Sequence, residues 1–309
     1  MHILMTGITS FLGSYTARQL ILDGHEVTGL VRPGSRSLDK VRERCPGARI
    51  CMQDLENMPQ QVTSGDLTGF AWAKDGYDAC IHFAWDGPGS AARMDAKMQE
   101  KNIRFAKNMY RISALAGCRC FVFSGSQAEY GTGTKEAPQP VSEYGKGKLA
   151  FGRWAAEQSA LHPQMRYVHM RIYSVYGKGD HETSLVNTLI RACVQKDTLA
   201  LSPCVQKWNY LEVRDCARAA ALLAVSEQAE GIYDVAGTSG MPLRDYVDII
   251  GRICNGQGCY TFGTRADNAE GAADLVPDTR RLEALGFRQE ISFEEGIRQL
   301  YQEMEKQTS

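Results

Sequence analysis

The first half of the chain alternates short, near-continuous apolar runs with longer stretches whose apolar residues recur at helical spacing. "HILMTG", from His2, is the first such run and predicts a buried strand. "FLGSYTARQLILDG" then carries Phe11, Leu12, Ala17, Leu20 and Ile21 at helical spacing, and Gly24 is placed to end that helix. "HEVTGLV", "ARICMQDL" and "DACIHFAW" predict three further strands. "MQEKNIRFAKNMYRISALAG" predicts a long helix stopping at Gly117, and "CRCFVFSG" a fifth strand. A second long helix is expected from Ser142 to Leu161, and "RYVHMRIYSVYG" is expected to form a sixth strand.

Strands that are apolar throughout, rather than on alternate residues, are buried on both faces. Alternating with helices, they predict an α/β fold with a Rossmann-type, doubly wound parallel sheet. Such sheets take ligands at the carboxyl ends of their strands. The turns after Thr6, Val31, Gln53, Ala84, Ser124 and Ile172 are therefore where function is expected. The second half is less regular. "GIYDVAG" reads as one more sheet strand, after the helix "VRDCARAAALLAVSEQ". The division expected is a dinucleotide-binding domain of residues 1–176 and 212–238, with a smaller mixed substrate lobe of 177–211 and 239–309.

Composition narrows the function classes. A chain of 309 residues with 43% hydrophobic and 23% charged residues is an ordinary globular protein. A net charge of −1 offers no broad electrostatic grip on nucleic acid or on an anionic membrane. The ten cysteines form no CxxC pair and sit in apolar segments such as "ARICM" and "CFVF", as reduced core thiols do. The six histidines form no HExxH, and no metal site is expected. The N-terminus has no basic-then-apolar leader pattern, and no apolar run approaches membrane-spanning length. The expectation is a soluble, cytoplasmic protein.

The first turn, "TGITSFLG", has the outline of a phosphate cradle without its middle glycine. Gly7 permits a sharp turn out of the strand, and Gly13 permits the helix to press on the sheet; Ser10 sits between them. A helix N-terminus there presents amide N–H groups and a partial positive charge to a pyrophosphate. Serine is small and caps helices well, so Ser10 is compatible with the cradle. The next strand decides which dinucleotide. NAD sites place Asp or Glu about twenty residues after the turn, on the ribose 2′-hydroxyl. Here the strand ends in "RPGSR". Arg32, Ser35 and Arg36 suit a 2′-phosphate, since guanidinium forks match phosphate oxygens. A solvated basic loop is the plainer reading; position favours NADP, with NAD as the alternative. Asp54 and Leu55 are placed to touch the adenine, and Phe83 and Ala84 are further cofactor candidates at the end of the fourth strand.

Of thirteen tyrosines, Tyr144 alone has a lysine four residues later, Lys148. On a helix both side chains share one face. A phenol beside an ammonium has a lowered pKa and can trade a proton near neutrality. "FVFSGSQAEYG", leaving a strand at the ligand end, supplies Ser126 to hydrogen-bond a substrate oxygen.

With "HFAW", "YGKGK", "RIYSVYG" and "YLEVRDCARAA", these segments resemble the extended short-chain dehydrogenase/reductases, in the branch of the NAD-dependent epimerase/dehydratase family that acts mainly on nucleotide-activated sugars. The likeness runs from Met1 to about Gly237 and more thinly through "DTRRLEALGF". It implies Ser126, Tyr144 and Lys148 as the catalytic triad, with Lys148 also on the nicotinamide ribose. It places Thr6, Gly7, Leu12 and Gly13 at the dinucleotide, joined by Ser10 and Phe11, and Ile172 near the nicotinamide. Ser174 stands where the family usually has asparagine, a departure at a position the resemblance assigns to the substrate. Asn102 resembles the family asparagine that orders a proton route, although a surface helix residue is an equal reading. Family members are often homodimers joined by a four-helix bundle built from the two long helices.

Departures from the family are informative. Its 4,6-dehydratases carry Asp-Glu directly after the triad Ser or Thr; here Gln127 and Ala128 stand there, which argues against that dehydration. Family epimerases hold NAD tightly, whereas an enzyme reading NADP more naturally takes up NADPH and releases the oxidised form. "GSQAEYG" and "HFAWDG" also resemble reductases of nucleotide-linked 4-keto-deoxy sugars. The leading expectation is such a ketoreductase, with a nucleotide-sugar 4-epimerase second. A redox-sensing regulator is disfavoured by the complete triad, and a reductase of a non-sugar carbonyl stays open.

Other residues carry two readings each. Trp85, Asp86 and Arg93 either line the substrate pocket or belong to loops, and Gln127 is a further substrate candidate. His82 reads as a core histidine. Trp208 and Tyr210 stack on a base or pack the smaller lobe, and Arg280 and Arg281 face a diphosphate or solvent.

Overall fold

The structure, a computed structural model, describes residues 1–55, 67, 70–87, 92–238, 240–266 and 276–308. The chain divides into two compact units: Met1–Ile172 with Ala217–Asp234 and Arg280–Phe287, and Tyr173–Cys216 with Val235–Thr279 and Arg288–Ser309.

The first unit is built on strands β1 (His2–Thr6), β2 (Glu26–Val31), β3 (Arg49–Met52), β4 (Ala79–His82), β5 (Cys120–Ser126) and β6 (Arg166–Ile172). With Gly231–Val235 at one edge they form a seven-stranded sheet ordered Gly231–Val235, β6, β5, β4, β1, β2, β3. The pairs β1/β2, β2/β3, β1/β4, β4/β5 and β5/β6 are all parallel. This is the doubly wound Rossmann-type sheet expected. The apolar runs account for it: Ile3, Leu4 and Met5 of β1, Cys80 and Ile81 of β4 and Phe121, Val122 and Phe123 of β5 are wholly buried, as strands covered on both faces require.

Strand order reverses between β1 and β4, where Thr6 stands level with His82. That reversal opens a crevice at the carboxyl ends, the position at which ligands bind such sheets. The helices Ala96–Leu115 and Glu143–Ser159 match the two long helices expected, within two residues at each end. Tyr110, Phe121, Phe123, Phe151 and Tyr167 are buried in one aromatic cluster there, with Trp154 packed against it.

The second unit gathers the helices Leu185–Gln195, Leu243–Ile253 and Phe293–Thr308 around Tyr176, Leu189, Ile190, Tyr246, Ile250 and Ile297. "RYVHMRIYSVYG" is not one strand. It ends as β6 at Ile172, and Ser174–Tyr176 then pairs in parallel with Tyr210–Glu212. The change of partner occurs at Tyr173, whose N–H donates to the carbonyl of Val235. Tyr210 packs edge-on against Tyr176 and Tyr246 and stacks on Phe293, so it belongs to this core.

All ten cysteines are free thiols, eight of them buried. Among the described residues no helix is long and apolar enough to cross a membrane, and no group of His, Cys, Asp and Glu is placed to hold a metal ion.

Candidate active site

The turn after β1 is shaped by contacts that leave no room for a side chain. Gly7 adopts φ +70°, and a Cβ there would lie 2.6 Å from the amide nitrogen of Ala84. A Cβ on Gly13 would lie 2.1 Å from the carbonyl oxygen of Gly7. The helix Phe11–Leu22 is therefore seated directly on the turn. Ser10 fills the place of the missing glycine with a defined task. Its N–H donates to Gly7 O at 2.9 Å, and its hydroxyl oxygen accepts the Gly13 N–H at 3.1 Å. It is the N-cap, and its extended backbone (φ −76°, ψ 168°) requires no glycine. First-turn amides of a helix lack carbonyl partners within the helix, so the end that begins at Phe11 and Leu12 fits a pyrophosphate.

Thr6 is wholly buried, and its hydroxyl joins β1 to β4, 2.8 Å from His82 Nδ1 and accepting the Ala84 N–H at 3.2 Å. Burial pushes the His82 imidazole down to about 3, with the Lys148 ammonium adding to the effect, so His82 is a neutral core residue. At the end of β2 Arg32 is exposed, and its guanidinium lies 3.8 Å from Asp86, itself half-exposed after β4. Ser35 and Arg36 follow in the same turn, whose Ser35 N–H donates to Arg32 O. Asp54 is half-buried after β3, and Leu55 packs against the aromatic core.

Ser126 ends β5 and caps the short turn Gln127–Glu129, its hydroxyl oxygen accepting the Ala128 N–H at 3.2 Å. Tyr144 lies in the first turn of Glu143–Ser159, capped by Ser142. A Cβ on Gly145 would lie 2.3 Å from the Ala128 carbonyl, so this first turn rests on the Ser126 turn. Lys148 follows one helical turn later and is 2% exposed. Its Nζ donates to the Ser124 carbonyl at 2.5 Å and to the Ser124 hydroxyl at 3.3 Å. It lies 4.0 Å from the centre of the Trp85 ring and 5.6 Å from that of Tyr144. Burial draws the Lys148 pKa down to about 7, against the pull of Glu129 and helped by Arg93. Trp85 meets the Tyr144 ring edge-on, and the Arg93 guanidinium lies 4.3 Å from its centre. The fold thus brings Ser126, Tyr144, Lys148, Trp85 and Arg93 to one end of the sheet, with Phe83 and Ala84 against Gly7. Ile172 ends β6 at the same edge.

Asn102 is not a surface residue. It is 1% exposed; its Oδ1 accepts the Asp86 N–H at 3.0 Å, and its Nδ2 donates to Asp86 O at 2.9 Å. Gln99 joins it, accepting from the Trp85 indole N–H at 2.7 Å. These two helix residues fix the backbone and ring that follow β4. Ser174 belongs to the second unit, half-buried in the strand Ser174–Tyr176. Arg281 is a structural clamp rather than a diphosphate ligand, donating to the carbonyls of Ile232 and Glu230 at 2.7 Å.

The model of the NAD-dependent epimerase/dehydratase family matches residues 3–236 of the sequence. The chain belongs to that family. Among curated relatives of the family, UDP-glucose 4-epimerase 3 of Oryza sativa subsp. japonica is 27% identical over 185 residues, 57% of this chain and 49% of that protein. The chain thus spans about half the length of the plant epimerases it matches. CDP-abequose synthase of Salmonella muenchen is 21% identical over 311 residues, 96% of each chain. Solved structures share the fold. UDP-glucose 4-epimerase of Thermotoga maritima, solved with UDP-glucose, superposes with a TM-score of 0.83 at 19% identity, covering 100% of both chains. The dTDP-glucose 4,6-dehydratase DesIV of Streptomyces venezuelae, with NAD bound, has a TM-score of 0.81 at 21% identity, covering 99% of this chain and 97% of that one.

The residues that motif reading missed are Glu129, His169 and Arg171, buried together beneath Ser126. A signal was present. His169 and Arg171 are two apart in a strand whose interior is otherwise Tyr167, Val168 and Met170, so they share one face, and Glu129 closes the turn beside it.

Proposed function

We propose that this family member is an NADP-dependent oxidoreductase that reduces a ketone of a nucleotide-activated, 4-keto-deoxy sugar, with Ser126, Tyr144 and Lys148 as its catalytic triad. The observation that carries the choice is Arg32 at the end of β2, exposed in a turn that has no acid of its own. Its contact with Asp86 is long and exposed, so it costs little to exchange for a 2′-phosphate. Ser35 and Arg36 assist, and Asp54 and Leu55 border the adenine.

The cradle of Gly7, Ser10 and Gly13 fits a dinucleotide, because any Cβ on either glycine would fill the space the turn needs. Ser10 uses its hydroxyl oxygen as the cap and keeps its proton for a phosphate oxygen. Thr6, Phe11, Leu12, Phe83, Ala84 and Ile172 complete the lining. A bound NADPH supplies the hydride. Tyr144 donates its phenolic proton to the carbonyl oxygen being reduced, and Ser126 donates a hydrogen bond to the same oxygen. The Lys148 ammonium and the Arg93 guanidinium, on the ring of Tyr144, favour the phenolate left behind. Trp85, Asp86, Gln127 and Ser174 are the proposed substrate contacts. The full-length likeness to CDP-abequose synthase supports a nucleotide-linked sugar as the substrate class.

A second reading, an NAD-dependent nucleotide-sugar 4-epimerase, is favoured by the plant relatives and uses the same triad. A 4,6-dehydratase is disfavoured, because Gln127 and Ala128 offer no acid and the next residue, Glu129, is wholly buried and engaged. The test is to release and identify any nucleotide the purified protein carries, then to titrate it with NADPH and NADH. Weak retention with preference for NADPH, and NADPH oxidation with a nucleotide-linked 4-keto sugar, supports the reductase. Stoichiometric NAD that survives purification transfers the assignment to the epimerase.

A further inference from the structure

A wholly buried carboxylate needs partners, because an isolated one is expensive to bury. Glu129 has three. Its Oε1 accepts the Ser126 N–H at 2.8 Å and the His169 Nε2–H at 2.9 Å, and its Oε2 accepts the Arg171 Nε–H at 3.0 Å. Burial works against the charged form, but His169 and Arg171 outweigh it and hold the carboxyl below its ordinary range. Arg171 continues to the Tyr130 hydroxyl at 2.8 Å, which donates to Asp234 at 3.2 Å.

The backbone is cut to fit this cluster. A Cβ on Gly125 would lie 2.1 Å from His169 Nε2 and 2.5 Å from Glu129 Oε1; one on Gly152 would lie 2.3 Å from His169 Cε1. Gly152 is one turn beyond Lys148 on the same helix face as Tyr144. The imidazole that grips Glu129 is therefore pressed against the helix that carries two members of the triad. The third, Ser126, is held by the carboxylate itself, and the first helical turn rests on the Ala128 carbonyl.

We infer that Glu129, gripped by His169 and Arg171, is a positioning residue that locks Ser126 and the Tyr144–Lys148 helix into one register and supplies the buried negative charge facing Lys148. This rests on the triad reading above. With Ala128 N–H directed at its hydroxyl oxygen, Ser126 keeps one orientation, its proton available to the substrate. The polar and titratable groups facing Lys148 are Ser124, Tyr144, Arg93, neutral His82 and Glu129, beside the rings of Trp85 and Phe123; Glu129 raises its pKa, while burial and Arg93 lower it. The resemblance puts the dehydratases' Asp-Glu pair where Gln127 and Ala128 stand; here an acid, Glu129, stands one residue later and is buried.

The test is Glu129→Gln, which keeps the shape and removes the charge, assayed beside Tyr144→Phe in the NADPH-consuming direction. The expected result is a kcat lower by about tenfold or more, as small misplacements of reacting groups cause. NADPH affinity is expected to hold, and the alkaline limb of kcat/KM to move to lower pH. A kcat like that of the unsubstituted enzyme, or a limb that stays in place, overturns the inference, whatever happens to thermal stability. Full activity of Tyr144→Phe instead overturns the triad reading itself. If Glu129→Gln does not fold, His169→Leu in the same assay carries the test: a lower kcat with the same limb shift supports the inference, and full activity overturns it.

Discussion

The ammonium of Lys148 stands 4.0 Å from the centre of the Trp85 ring. It is a buried cation set against an aromatic face and the Ser124 carbonyl, with the charge of the buried Glu129 favouring its protonated form. Its pKa is drawn from 10.5 to about 7, mainly by burial. Between those values the unfolded chain holds the extra proton, so folding stability from this group is lowest below about 7 and rises with pH up to 10.5. Activity that needs the ammonium runs the other way, falling as pH passes through about 7. Lys148→Met is expected to lose turnover and to flatten the rise in unfolding temperature with pH. An equally steep rise in the variant would show that Lys148 is not its source.

Tyr144→Phe removes one hydroxyl and keeps the ring that Trp85 and Arg93 contact. Turnover is expected to fall about 10²–10⁴-fold, the usual worth of a positioned proton donor. NADPH titration should give a nearly unchanged affinity. Undiminished turnover removes Tyr144 from the mechanism.

Arg32→Ala tests the cofactor choice. A charged hydrogen bond to a 2′-phosphate is worth roughly 1–3 kcal/mol, and NADH has none to lose. NADPH binding should weaken far more than NADH binding. Equal losses for both would make "RPGSR" a loop and nothing more.

Gly13→Ala places a Cβ 2.1 Å from a backbone carbonyl, which the helix can relieve only by moving off the turn. The expected cost is about 1–3 kcal/mol of stability with loss of dinucleotide affinity. Ser10→Gly is the control: it removes the cap yet keeps the turn open, so affinity should suffer less. If Gly13→Ala binds both cofactors normally, the cradle lies elsewhere.

Much of this protein is local and was legible along the chain. Apolar runs such as Ile3–Met5 announce strands buried on both faces, because exclusion from water acts on each residue by itself. Gly7 and Gly13 mark a turn that tolerates no Cβ, and the spacing of Tyr144 and Lys148 puts both on one helix face through geometry alone. The family likeness rested on the same short segments. Other features depend on partners far apart in sequence. Nothing in "RYVHMRIYSVYG" marks Tyr173 as the point where one sheet ends, since that depends on the Val235 carbonyl. For Asn102 the sequence leaves a proton-route asparagine and a surface helix residue as equal readings, and only its hydrogen bonds with the Asp86 backbone show that it is buried. Glu129, His169 and Arg171 are ordinary polar residues in isolation. Only the register of β5 beside β6 brings them together, where a shared low-dielectric interior makes each the condition for burying the others.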